Sequence, residues 1–80
     1  MNVLQASKRI RTFLELNEPA KIERIFDDLH EHFEVGKSYN DMITYVFIEM
    51  LSSGEIICID GEARLGRLAW YRLKAETTIV

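Results

Sequence analysis

The sequence of 80 residues has one cysteine, one proline and four glycines, and no long apolar run. A single cysteine excludes an internal disulfide, and Cys58 stands at no metal-ligand spacing. We interpret Cys58 as a small buried hydrophobe and expect a reduced, cytoplasmic protein. No stretch approaches the ~20 apolar residues of a membrane helix, so we expect no membrane partner. Residues 1–5 lack a basic region followed by an apolar stretch, and we expect no signal peptide.

Apolar residues make up 48% of the chain and include four Phe, three Tyr and one Trp, which is ample for a packed interior. The length predicts one domain, residues 1–80, with a frayed tail over residues 75–80. Ten Lys and Arg stand against thirteen Asp and Glu, a net charge of −3. DNA-binding domains usually carry a basic surface, so the acidic balance keeps a protein partner as an alternative.

Three segments repeat apolar residues at steps of three and four, the spacing that places them on one face of a helix. The segments run from Val3 to Leu16, from about Pro19 to Phe33 and from about Tyr39 to Ser52. Gly36 lies in the turn before the third helix, where we expect it to supply the positive φ that ends the second. Ser38 is predicted to cap the third helix, with Asp41 three residues later.

A β-hairpin is predicted after the third helix. Ser53-Gly54 ends that helix, and the apolar run from Ile56 to Ile59 has the length of a strand. Asp60-Gly61 is a hairpin-turn signal, and a return strand follows over residues 68–73. Three helices and then a hairpin is the order of a winged helix-turn-helix domain. We therefore expect an α+β fold of this type with a two-stranded wing.

The predicted core joins one face of each helix to one face of the hairpin. From the helices it takes Ile10, Phe13, Phe26, Leu29, Val46, Phe47 and Met50. From the hairpin it takes Ile57, Ile59, Leu68 and Trp70. This assignment makes Trp70 the aromatic residue with which the hairpin covers the helices.

No catalytic, metal or cofactor site is predicted. His30 and His32 are 200° apart on a helix and cannot share one ion. The acid pairs Asp27-Asp28 and Asp60/Glu62 have no predicted cleft that would shift their pKa values for acid–base chemistry. No glycine-rich phosphate loop or nucleophile motif is present. We therefore expect a protein that is not an enzyme.

The third helix is the predicted recognition helix. Its polar side chains are of the types that contact base edges in recognition helices. The arginines of the predicted wing are placed to contact phosphates. The predicted DNA-binding residues are Lys37, Ser38, Asn40, Thr44, Arg64 and Arg67, and Tyr45 also lies on this side of the helix. The same helix carries a predicted protein-contact patch opposite the core stripe. That patch consists of Tyr45, Ile48 and Leu51.

The closing stretch from Arg64 to Leu73, RLGRLAWYRL, resembles the wing of small bacterial winged-helix regulators, including fimbrial-operon regulators of similar length. The resemblance extends over about 70 residues in the order of elements. It implies a DNA-binding transcriptional role, with Arg64 and Arg67 as wing contacts and Ser38, Asn40 and Thr44 as helix contacts.

Two functions are therefore expected, in this order. The first is a winged-helix protein that binds double-stranded DNA and regulates transcription. The second is a non-enzymatic adaptor or inhibitor that binds a protein through a winged-helix scaffold, as proteins of mobile elements do. A homodimer is compatible with both.

Overall fold

A computed structural model describes residues 1–59 and 69–74. These residues form three α-helices and a three-stranded antiparallel sheet, a small α+β fold. The helices are α1 (Val3–Asn17), α2 (Ile22–Phe33) and α3 (Asn40–Ser52), and a short 3₁₀ helix, Lys37–Tyr39, leads into α3. The strands are β1 (Ala20–Lys21), β2 (Ile56–Cys58) and β3 (Trp70–Leu73).

The predicted span of α1, from Val3 to Leu16, is confirmed to within one residue. Asn2 caps it: its side chain accepts a hydrogen bond from the Gln5 N–H at 2.8 Å, and the Gln5 side chain accepts from the Asn2 N–H at 2.9 Å. This reciprocal pair satisfies two amide groups that the first turn of a helix leaves without partners. The buried face of α1 is Ala6, Ile10, Phe13 and Leu14.

Helix α2 begins at Ile22, and its predicted start at Pro19 was wrong. The residues just before it are extended instead, because Ala20 and Lys21 form β1 and pair with Tyr71 and Trp70. The helix ends at Phe33, as expected. The left-handed residue that follows the helix is Glu34, at φ 52°. The expectation for Gly36 was wrong, because Gly36 lies two residues beyond Glu34 and has a φ of −98°.

The predicted Ser38 cap of α3 was also wrong. Side-chain capping needs an extended backbone at the residue before the helix. Here Ser38 already lies in the 3₁₀ helix, and the residue before α3, Tyr39, has helical dihedrals and makes no side-chain capping bond. The predicted end of α3 is confirmed, since the helix ends at Ser52 and Gly54 takes a positive φ of 82°.

The sheet has one strand more than the predicted hairpin. Its order is β1-β3-β2, so the last strand lies in the middle, with β1 on one side and β2 on the other. The predicted antiparallel pairing of the last two strands is confirmed. The third strand was not predicted, because β1 has only two residues, too few to give a pattern along the sequence.

The strands also face the opposite way from the prediction. Tyr71 and Ile56 are buried, whereas Ile59 and Trp70 are 45% and 41% exposed and Ile57 is half-buried. A shift of one residue moves every side chain of a strand to the other face, and this shift accounts for the three wrong assignments. Leu68, the fourth, lies outside the described residues.

The helical half of the predicted core is confirmed in six of its seven members, and Phe26 is half-buried at the core's edge. Phe47 and Tyr71 meet edge to face at its centre, with ring centroids 4.9 Å apart and both side chains fully buried. The core consists of Ala6, Ile10, Phe13, Leu14, Ala20, Ile25, Leu29, Ile43, Val46, Phe47, Met50, Ile56, Ala69 and Tyr71.

Candidate macromolecule-binding surfaces

Helix α3 presents a solvent-facing side that combines apolar and acidic residues. Tyr45 and Ile48 are 51% and 42% exposed, although they are large apolar side chains. Leu51, the third residue of the predicted protein-contact patch, is half-buried and packs against the core instead. The exposed residues of this side, which we name the α3 face, are Asp41, Tyr45, Ile48, Glu49 and Ser52.

The predicted DNA-binding residues lie at the start of α3 and beside that face. Lys37 and Ser38 are exposed in the 3₁₀ helix, and Thr44 is half-buried. Asn40 is half-buried, and its Oδ1 lies 2.6 Å from Nε2 of His30 on α2. Because this bond uses the side-chain carbonyl of Asn40, it restricts the side chain as a reader of base edges. Arg64 and Arg67 lie outside the described residues.

An open groove of about 750 Å³ connects α2 to the start of α3. It brings two of the predicted DNA-binding residues, Lys37 and Asn40, together with acidic and apolar side chains of α2. Its lining is Ile22, Glu23, Phe26, Asp27, His30, Lys37 and Asn40. With two acids and one lysine, this groove has no excess of positive charge that would attract phosphates.

Charge is distributed unevenly along the fold. Residues 22–53, which hold α2, the turn and α3, carry seven Asp and Glu against two Lys and Arg, a net charge of −5. Helix α3 itself has no Lys, Arg or His. A helix that enters the major groove passes between two rows of phosphates, so this charge opposes entry.

Several basic residues of the described ranges already have partners within the chain. Arg9 makes a two-point pair with Asp28, both contacts at 2.8 Å, and this hydrogen bond raises the pKa of the Arg9 guanidinium. Arg11 binds Glu55 at 2.6 Å, and the Arg24 guanidinium lies 5.9 Å from the centre of the Phe13 ring. Arg9 and Arg11 therefore tie α1 to α2 and to the residue before β2.

A second exposed face lies on the side of the sheet that points away from the helices. Trp70 is central in it, and Nζ of Lys21 lies 5.0 Å from the centre of the Trp70 ring. The Ile59 N–H donates to the Trp70 carbonyl at 3.0 Å, and Arg72 pairs with Ile57 across the strands. We name these five residues, Lys21, Ile57, Ile59, Trp70 and Arg72, the sheet outer face.

The sheet outer face was not predicted from the sequence, because Trp70 was expected to lie in the core. One signal was available. Trp70 and Arg72 are two positions apart and so share one face of a strand. An arginine rarely lies in a core without a buried acid as partner, so Arg72 favoured the solvent side for both.

The structure gives no grouping of side chains for catalysis or metal binding within residues 1–59 and 69–74. No three His, Cys, Asp or Glu side chains come within reach of one ion in these ranges. His30 is bonded to Asn40, and the His32 ring packs edge to face on Phe33 with centroids 4.7 Å apart. None of the three α-helices in the same ranges has the length and apolar character that crossing a membrane requires.

In comparison with known proteins, the chain matches no family model, no curated protein and no solved structure.

Proposed function

We propose that this chain is a winged helix-turn-helix domain that acts as a non-enzymatic adaptor or inhibitor by binding a protein through the α3 face. The order α1-β1-α2-α3-β2-β3, with β3 in the centre of the sheet, supports the winged-helix part of the proposal. The observation that carries the protein-binding part is the character of the α3 face. Two large apolar side chains are exposed there between two carboxylates, on a helix without a single cation.

Exposed apolar residues gain free energy when a partner removes them from water. The gain is about 25 cal/mol per Å² of apolar surface, and Tyr is among the residues enriched at interface centres. Asp41 and Glu49 disfavour a partner with carboxylates around its apolar contact and favour one with Lys or Arg there, because like charges across an interface are costly. The partner we expect is therefore a protein with a basic surface.

Ile48→Asp is expected to abolish this binding without unfolding the domain. The substitution places a charge without a partner in the centre of the interface, and a central contact of this kind is worth about 2 kcal/mol or more, roughly a 30-fold weaker Kd. Affinity capture with the tagged protein, followed by mass spectrometry and a measured Kd for each captured protein, tests the expectation.

Leu4→Asp is the matched control for that experiment. Leu4 is a 63% exposed leucine in the first turn of α1, where an added acid is favourable. The Leu4→Asp substitution also replaces an exposed apolar side chain with a carboxylate, but outside the α3 face, so binding should persist. A partner bound equally well by the Ile48→Asp and Leu4→Asp variants would contradict the proposed site.

Double-stranded DNA binding with a role in transcription regulation is the second candidate function. One observation favours it: the chain between β2 and β3, residues 59–69, occupies the place of a wing in the order of elements and contains Arg64 and Arg67. In winged-helix proteins such arginines contact phosphates or the minor groove. The −5 charge of residues 22–53 places this candidate after protein binding.

For DNA binding, the expected result is a gel shift at low salt that weakens steeply as salt increases. The double substitution Arg64→Ala, Arg67→Ala should weaken it on all duplex sequences and lower the salt slope by about one for each lost phosphate contact. The double substitution Lys8→Ala, Arg24→Ala removes the same charge from α1 and α2 and serves as the control. Absence of a shift even at low salt would remove this candidate.

A further inference from the structure

The α3 face and the sheet outer face are opposite in charge and alike in their apolar content. The α3 face has Asp41 and Glu49 beside Tyr45 and Ile48. The sheet outer face has two cations, Lys21 and Arg72, beside Trp70 and Ile59. Each face thus has the features that the other would need in a partner.

We propose that the partner of the α3 face is the sheet outer face of a second copy of this chain, so that copies associate head to tail. This inference rests on the proposed function, since it uses the same docking surface and names its partner. Charge complementarity and the exposed apolar side chains on both faces favour a second copy as the partner.

The expected contact brings apolar residues together at the centre and opposite charges to the edges. Tyr45 and Ile48 of one copy would cover Trp70 and Ile59 of the next, and removing these four side chains from water is favourable. The Lys21 ammonium lies over the Trp70 ring, 5.0 Å from its centre. Arg72 lies two positions beyond Trp70 on the same side of β3, and its Nη1 donates to the Leu73 carbonyl at 3.0 Å. Carboxylates of the neighbouring copy would approach these two cations. The cations fix the orientation, and the aromatic contact supplies the affinity.

A symmetric pairing of two identical faces is disfavoured by the same charges. Two α3 faces would bring Asp41 and Glu49 of one copy against those of the other, and two sheet outer faces would bring lysine and arginine together. Like charges placed opposite each other across an interface are unfavourable. The head-to-tail arrangement is the one that pairs every charge of both faces with its opposite.

A head-to-tail interface leaves one unused face at each end of any assembly. Copies therefore continue to add until a ring closes, or else they form an open chain. We expect the average mass of the wild-type protein to increase with concentration rather than stop at two copies. We also expect added salt to lower that mass, because it screens the four charges.

Complementary single-face variants test the geometry. Ile48→Asp removes the α3 face and keeps the sheet outer face, whereas Trp70→Glu removes the sheet outer face and keeps the α3 face. Each variant alone should be monomeric by sedimentation velocity and light scattering at concentrations where the wild type assembles. An equimolar mixture should form a complex of two chains and no larger species, because only one intact pair of faces remains. Leu4→Asp should assemble like the wild type.

Circular dichroism establishes that each variant is folded, and Arg72→Glu replaces Trp70→Glu if the latter unfolds. A wild type that stays monomeric at every concentration would overturn the inference, as would a mixture of variants that fails to combine. If the wild type is monomeric yet captures a basic protein in an Ile48-dependent way, self-association is wrong and the proposed function stands. If the Ile48→Asp variant assembles and captures partners as the wild type does, both the self-association and the proposed function are wrong.

Discussion

Phe47→Ala is expected to leave much of the domain unfolded at room temperature. Phe47 is fully buried in α3 and its ring meets that of Tyr71 at the centre of the core. Truncating a buried Phe to Ala costs about 3–5 kcal/mol, because burial is lost and a cavity remains. At about 0.05–0.15 kcal/mol per residue, a domain of this size has a total stability of roughly 4–12 kcal/mol. The loss is therefore a large part of the whole.

Urea unfolding followed by circular dichroism measures that change, and Tyr45→Ala is the matched control. Tyr45 is an aromatic residue of the same helix on its exposed side, so its truncation should cost no more than about 1 kcal/mol. If the two variants had equal unfolding midpoints, the assignment of Phe47 to the core would be wrong.

Tyr71→Ala is expected to be nearly as damaging, by about 3–5 kcal/mol if a buried Tyr is taken to behave as a buried Phe. Tyr71 lies in the central strand, fully buried, and covers Phe47. Its neighbour Trp70 is the larger residue but lies on the outer side of the same strand, over Lys21. Trp70→Ala should therefore cost less, on the order of 1 kcal/mol, because only a partly exposed ring and one cation contact are lost.

The ranking of these two variants is the informative quantity. Thermal and urea unfolding of both proteins under one buffer condition gives it directly. A larger loss for Trp70→Ala than for Tyr71→Ala would mean that the strand faces the other way, as the sequence alone had suggested.

The helices could be predicted closely from the sequence, and the sheet could not. Apolar residues at steps of three and four define α1 and α3 almost to the residue, because a helix repeats often enough to show its period. The run from Ile56 to Ile59 is apolar at every position, so it contains no alternation that would tell its buried side from its exposed side. In β3 a signal did exist, because Arg72 lies two positions beyond Trp70 and favoured the solvent side for both residues.

The candidate surfaces could be predicted where they depend on the period of one helix, and not where they depend on how separate elements pack. Tyr45 and Ile48 were identified because their position opposite the core stripe follows from the helical period alone. The bond between Asn40 and His30 depends on how α2 and α3 pack, and no spacing along the chain encodes it. The sheet outer face likewise depends on β1, since Lys21 reaches Trp70 only because two residues from the α1–α2 connection join the sheet.

The pairing of β1 with β3 also joins distant parts of the chain: Ala20 and Lys21 hydrogen-bond to a strand that lies about fifty positions later. Closing so long a loop has an entropic cost that no early local contact offsets. The strand that meets β1 also carries Tyr71 into the core and holds β2 on its other side. Detaching β3 would therefore leave both other strands without their hydrogen-bonding partner and would expose Phe47 at the same moment. We therefore expect β3 to separate only when the core opens, so that the sheet and the core lose their structure in one step.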